Sequence, residues 1–185
     1  MTRDHQEYFD QLVNEVKTFR EQLTAESDRG CALFATAYLD KALSDLLFVS
    51  VVSGPTKKIE KDLFDFNSPL GTFSSRIKMA YYLGKISMES RRDLDLLRSI
   101  RNTFAHHPTV VSFDDESISN KCRELKFSFR NKNDKPRLHF LGSVFGLLAQ
   151  INHDTFAANA PAQKPDDSPT EENKEKHRKK MGLDD

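Results

Sequence analysis

Between residues 28 and 52 apolar side chains recur every three to four positions over a wide arc: Ala32, Leu33, Ala35, Leu39, Ala42, Leu43, Leu46 and Leu47. The helical repeat puts them on one broad face, wider than a helix needs to pack against a single neighbour. Such a helix belongs at the centre of a bundle, and the rest of the chain must supply the helices around it. Asp28 can cap its start, and Gly54-Pro55 stops it.

The same repeat predicts those neighbours. Phe9, Leu12, Val13, Val16, Phe19 and Leu23 mark a first helix at about 4–26. A short helix is expected at 57–64. In FNSPLGTFSSRIKMAYYLGKI, Ser68 can cap and Pro69 suits a first helical position, with Gly84 as the stop. Ser87 opens the next helix, whose buried stripe is Leu94, Leu97, Ile100 and Phe104. Pro108 forces His107 out of helical geometry, so this helix ends near His106. DDESISNKCREL reads as a helix capped by Asp114 or Asp115. The segment from Lys126 to Phe140 begins with Phe127 and Phe129 alternating with charge, a pattern of a short strand or an extended loop. A last long helix spans Pro136 to Ala158. The expected fold is all-α: one helical bundle domain over 1–160, of about five to seven helices. Residues 161–185 are Pro-, Asp-, Glu- and Lys-rich with almost no apolar residues, a disordered charged tail.

Composition excludes several functions. Lys plus Arg and Asp plus Glu both number 28, so bulk charge does not make the chain a polyanion binder; any nucleic-acid contact needs a local patch. Cys31 and Cys122 stand far apart and form no Cys-x-x-Cys motif, which reads as free thiols in a reducing compartment. The six histidines show no zinc-ligand spacing, so no metal site and no cofactor are expected. With no apolar signal region and no spanning run, the expected location is the cytoplasm, away from any membrane.

The segment that carries chemistry is Arg101-Asn102-Thr103-Phe104-Ala105-His106, followed by His107-Pro108. On a regular helix Arg98, Asn102 and His106 share one face, while Arg101 lies well round from His106. Their convergence needs a frayed end at His106, the reach of the arginine, or a second subunit. A histidine at a helix C-terminus is favoured in its protonated form, and an arginine fork suits phosphate. Basic residues that merely complement the helix dipole would give the same pattern. A second feature is the strip Lys121, Arg123, Lys126, Arg130, Lys132, Lys135 and Arg137, interleaved with Phe127 and Phe129. It is either a backbone-tracking, base-stacking surface or a solvated loop whose phenylalanines enter the core. Tyr81 and Tyr82 read as half-buried packing residues.

Arg-Asn-x-x-x-His at the end of a bundle helix resembles the signature of the HEPN superfamily. SPLGTFSSRIKMAYYLGKI with DLDLLRSIRNTFAHHP resembles the mannitol operon repressor family, over about residues 25–155. The first resemblance implies a metal-independent endoribonuclease that works as a homodimer. His106 would be its acid–base group, Arg101 would stabilise the phosphoryl charge, and Asn102 would orient one of them or the scissile phosphate. Arg98 would be a supporting phosphate contact, with Lys126, Arg130, Lys132 and Arg137 as further RNA contacts. The second resemblance implies a non-enzymatic transcriptional regulator whose bundle surface binds another transcription factor. A toxin–antitoxin or defence-system subunit is a third expectation.

Overall fold

The computed structural model describes residues 17–51, 56–131, 133–162, 165, 168 and 170–181. Among them the secondary structure is helical, with no strand. The helices are α1 (17–25), α2 (Asp28–Ser50), α3 (Lys57–Phe64), α4 (Phe73–Tyr82), α5 (Met88–His106), α6 (Glu116–Arg123), α7 (Pro136–Ala157) and α8 (Glu171–Met181). Phe9, Leu12, Val13 and Val16 of the expected first helix, and the Gly54-Pro55 stop, lie outside the described residues.

The wide apolar face of α2 is central, as its breadth requires. It packs against α7, α5 and α4, while α6 leans on α7 and α5. Leu39, Leu43, Leu46 and Leu47 of α2 are fully buried in one core with Leu94, Leu97 and Ile100 of α5 and Val144, Leu147 and Ile151 of α7. Phe104, Phe113 and Phe140 form a file of rings with centroids 4.9 and 5.0 Å apart, fastening the end of α5 to the start of α7.

Local chemistry explains most boundaries. Gly84 has φ +66°, and the amides of Gly84 and Lys85 return to the carbonyls of Tyr81 and Ala80, the left-handed stop that glycine adopts without steric cost. Ser87 caps α5 by accepting from Ser90 N, and Pro136 opens α7. Residues 124–131 form turns and extended loop, not a strand. Two boundaries need correction: Ser27, not Asp28, caps α2, its hydroxyl accepting from Gly30 N at 3.1 Å, and α4 does not start at Ser68-Pro69. Thr72 is its cap, in a reciprocal box with Ser75 that satisfies two end groups at once. Pro69-Leu70-Gly71 is instead a turn that folds back on α3. A Cβ at Gly71 would stand 2.4 Å from the carbonyl oxygens of Asp65 and Phe66.

The helix count exceeds the expected five to seven because of α8, inside the segment read as a tail. Its ion pairs Lys174–Glu171, Lys176–Glu172 and Lys179–Glu175, each at 2.7 Å, sit one helical turn apart. No described residue beyond 160 is buried.

Candidate functional site

The last two turns of α5 carry the sequence-predicted site. Ile100 and Phe104 point into the core, which leaves Arg101 and His106 exposed and Arg98 and Asn102 half-buried. Arg101 Nη1 donates to Asn102 Oδ1 at 3.0 Å, so Asn102 holds the side chain of Arg101. Arg98 Nη2 reaches Asp95 Oδ1 at 3.5 Å. No hydrogen bond joins His106 to Arg101, Asn102 or Arg98 among the described residues. One chain brings Arg101 and Asn102 together and leaves His106 apart.

The end of α5 is fixed from outside. Arg29 Nη2, at the start of α2, donates to the carbonyls of His107 (3.0 Å) and Thr109 (3.1 Å). His107 is extended, as Pro108 demands, and its Nδ1 lies 3.0 Å from Thr109 Oγ1. Arg29 answers the helix-end carbonyls with charge, and spacing rules did not reveal it.

The basic strip divides. Arg137 does not join it: Nη1 donates to Asp28 Oδ1 at 2.8 Å, and Nη2 to the carbonyls of Leu23 (2.9 Å) and Glu26 (2.6 Å). Its guanidinium ties α7 to the α1–α2 corner. Lys126 and Arg130 are exposed on the loop after α6, Phe127 packs partly against the core, and Phe129 is 92% exposed. Lys132 lies outside the described residues.

Sequence reasoning missed the group beneath that loop. Asp93, fully buried on α5, accepts through Oδ2 from Phe127 N (2.8 Å) and from Ser143 Oγ on α7 (3.1 Å). It also missed a surface at the α4–α5 corner. Tyr82 is 72% exposed, beside exposed Met79, Leu83 and Met88. The Arg91 guanidinium lies 4.7 Å from the Tyr81 ring centre and 5.5 Å from that of Tyr82. Tyr82 is therefore a surface residue and not half-buried packing. Arg76, in the helix after the Pro-Leu-Gly turn, is structural: it pairs with Asp40 at 2.6 Å and donates to the Phe64 carbonyl.

A family model described as the mannitol repressor matches residues 13–139, well over half of the chain. The chain belongs to the mannitol repressor family. The match takes in α2 to α6, the Arg101–His106 segment and the loop carrying Phe129, and stops short of the tail. Two curated relatives, the mannitol operon repressors of Escherichia coli K12 and of Escherichia coli O6:H1, are each 35% identical over 63 residues. That stretch is 34% of this chain and 32% of each relative, so the alignment spans about a third of the repressors' length. The X-ray structure of the MtlR-HPr complex from Escherichia coli has a chain similar in fold, with a TM-score of 0.57 and 22% identity. The likeness covers 73% of this chain and 94% of that one.

Proposed function

We propose that this mannitol-repressor-family chain is a regulator that works by binding another protein. The observation that carries the reading is the α4–α5 corner. Met79, Tyr82, Leu83 and Met88 leave apolar area in water, and the Arg91 guanidinium sits over both tyrosine rings. Tyrosine, methionine and arginine are the residue types enriched at the centres of protein interfaces, and a monomer has no reason to expose them together. The fold relative was solved as a complex with a protein, HPr, and that is the first partner to try. Calorimetric titration of the full chain with purified HPr from the same cell should show binding that Tyr82→Ala weakens at least tenfold, roughly 1.4 kcal/mol. Binding that is absent, or indifferent to Tyr82, overturns the reading.

The ribonuclease reading rests on the Arg101-Asn102-x-x-x-His106 pattern. It needs His106 to act as acid–base and Arg101 to meet the developing phosphoryl charge. One chain leaves these groups apart, so a homodimer would have to complete the site. Its test is incubation with RNA in the presence of a chelator. Products should end in 2′,3′-cyclic phosphate and vanish with His106→Ala. A mixture of Arg101→Ala and His106→Ala chains should recover activity if the site is shared between subunits. RNA left intact by the wild type removes this reading and, with it, the toxin-like alternative.

A further inference from the structure

The loop between α6 and α7 is held from beneath at two consecutive residues. The Phe127 amide donates to buried Asp93. The Ser128 hydroxyl lies 3.3 Å from Nδ1 of buried His139. Two glycines of α7 let the loop backbone lie against the helix. A Cβ at Gly146 would stand 2.8 Å from the Phe127 carbonyl oxygen, and one at Gly142 would stand 3.0 Å from Ser128 Oγ. With residues 127 and 128 pinned inward, Phe129 and Arg130 are turned outward. Phe129 is 92% exposed, and Lys126, Arg130 and Lys135 around it are exposed too. Among the described residues these three cations form no ion pair. The nearby acids are engaged: Glu124 accepts from Arg92 at 3.0 Å, and Asp134 accepts from the Asn131 amide at 3.1 Å.

We infer that this loop is a binding site for single-stranded nucleic acid, in which a base stacks on Phe129 and the flanking phosphates sit on Lys126 and Arg130. This goes beyond the protein-binding reading and does not depend on it. An exposed aromatic face with cations on either side is the arrangement that binds unpaired strands, because every base offers a π-face and every linkage a charge. A protein pocket is the poorer fit. A buried anchor needs a surrounding ring of contacts that excludes water. The neighbours here are Lys126, Ser128, Arg130 and Asn131, with Phe127 turned away. The clamp supplies preorganisation: the loop's backbone is ordered before the ligand arrives, so less entropy is lost on binding.

The test uses the full chain and fluorescein-labelled oligouridylate and oligothymidylate of roughly a dozen nucleotides, with a duplex of the same length and unlabelled heparin as controls, read by anisotropy. The two single strands should bind alike, since a stacking ring does not read the 2′-hydroxyl, and both more tightly than the duplex, whose base faces are already stacked on one another. Phe129→Ala should weaken binding roughly five- to a hundred-and-fifty-fold, the range of one base–aromatic stack, while Phe129→Tyr retains it. Lys126→Ala with Arg130→Ala should reduce the slope of log affinity against log salt by about 1.4, two phosphate contacts on a single strand. These side chains are exposed, and an unchanged circular dichroism spectrum keeps loss of binding separate from loss of fold. No binding of either strand at about 100 µM protein, the weak limit of non-specific association, overturns the inference. So does affinity unchanged by Phe129→Ala, which would make the loop a general polyanion patch like that for heparin. A Phe129→Ala chain that binds the strands normally and loses HPr overturns it as well, and would extend the protein surface instead. Failure of HPr binding alone leaves this site standing.

Discussion

Replacing Asp93 by alanine should test how much of the molecule depends on one carboxylate. Asp93 has no exposed surface, and a single oxygen accepts both the Phe127 amide and the Ser143 hydroxyl. Alanine leaves a buried hydroxyl and a part-buried amide without their acceptor. An orphaned buried donor costs about 1–3 kcal/mol. The serine hydroxyl can turn to the carbonyl one helical turn back and recover part of its share; the amide has no such choice. The expected loss is about 2–3 kcal/mol, or a melting temperature lower by roughly 4–12 °C for a chain of this size. Asp93→Asn keeps an acceptor and should cost less. Because the lost bond is the loop's anchor, trypsin should cut after Lys126 and Arg130 faster in the alanine variant than its global stability accounts for. Urea denaturation with parallel limited proteolysis reads both effects. A loss under about 0.5 kcal/mol, the ordinary scatter of surface substitutions, with tryptic cleavage unchanged, would refute the clamp.

Arg137→Ala should destabilise by about 2–3 kcal/mol in the same assay, because a mostly buried guanidinium gives up bonds to a carboxylate and two carbonyls. Arg137→Lys should not restore it, since an ammonium cannot span that fork. Burial raises the Cys31 thiol from 9.0 to about 11 and the Cys122 thiol from 9.0 to about 12. The unfolded chain therefore ionises first, so this part of the stability is whole below about pH 9 and declines as pH climbs toward 11. Denaturation midpoints should fall over that window, and fall less when both cysteines are alanine. Thiol reagents should react only on unfolding. Truncation before Pro161 should leave the melting temperature within the scatter of surface changes, since no described residue beyond 160 is buried; a drop of several degrees would show that the tail packs.

The elements decided by one or two adjacent residues were legible. Gly84, His107-Pro108 and Pro136 act through their own backbone geometry and Ser87 through a local side-chain cap, and the structure places each where the sequence does. The start of α4 was not, because Ser68 and Thr72 both offer a cap, and the choice depends on how closely Gly71 lies against the end of α3. Asp93 left a signal that went unused. It falls in register with Leu97, Ile100 and Phe104, four, three and four residues apart, so an acid stands on the buried stripe. Arg137 left one too: a cation in the first turn of a helix opposes the dipole and needs another reason to be there. The α4–α5 corner left none, since Tyr82 differs from Tyr81 only in which side of α4 the packing covers.

The arginines also narrow what Arg101 and His106 can do. Three routes would bring them together: a frayed helix end, the reach of the arginine, or a second subunit. Arg29 holds the carbonyls just beyond the helix, so the end of α5 is anchored to α2 and fraying at His106 would break those bonds. Asn102 holds Arg101 along its own face of the helix, so reaching for His106 would give up that hydrogen bond as well. Both routes within one chain oppose contacts already made. A second copy opposes none, because both side chains are exposed and available to another molecule. Catalysis at this segment and self-association through it are therefore one hypothesis. If the chain is a monomer at working concentration, the two residues finish a helix and display charge, and the burden of function passes to the surfaces formed by Tyr82 and Phe129.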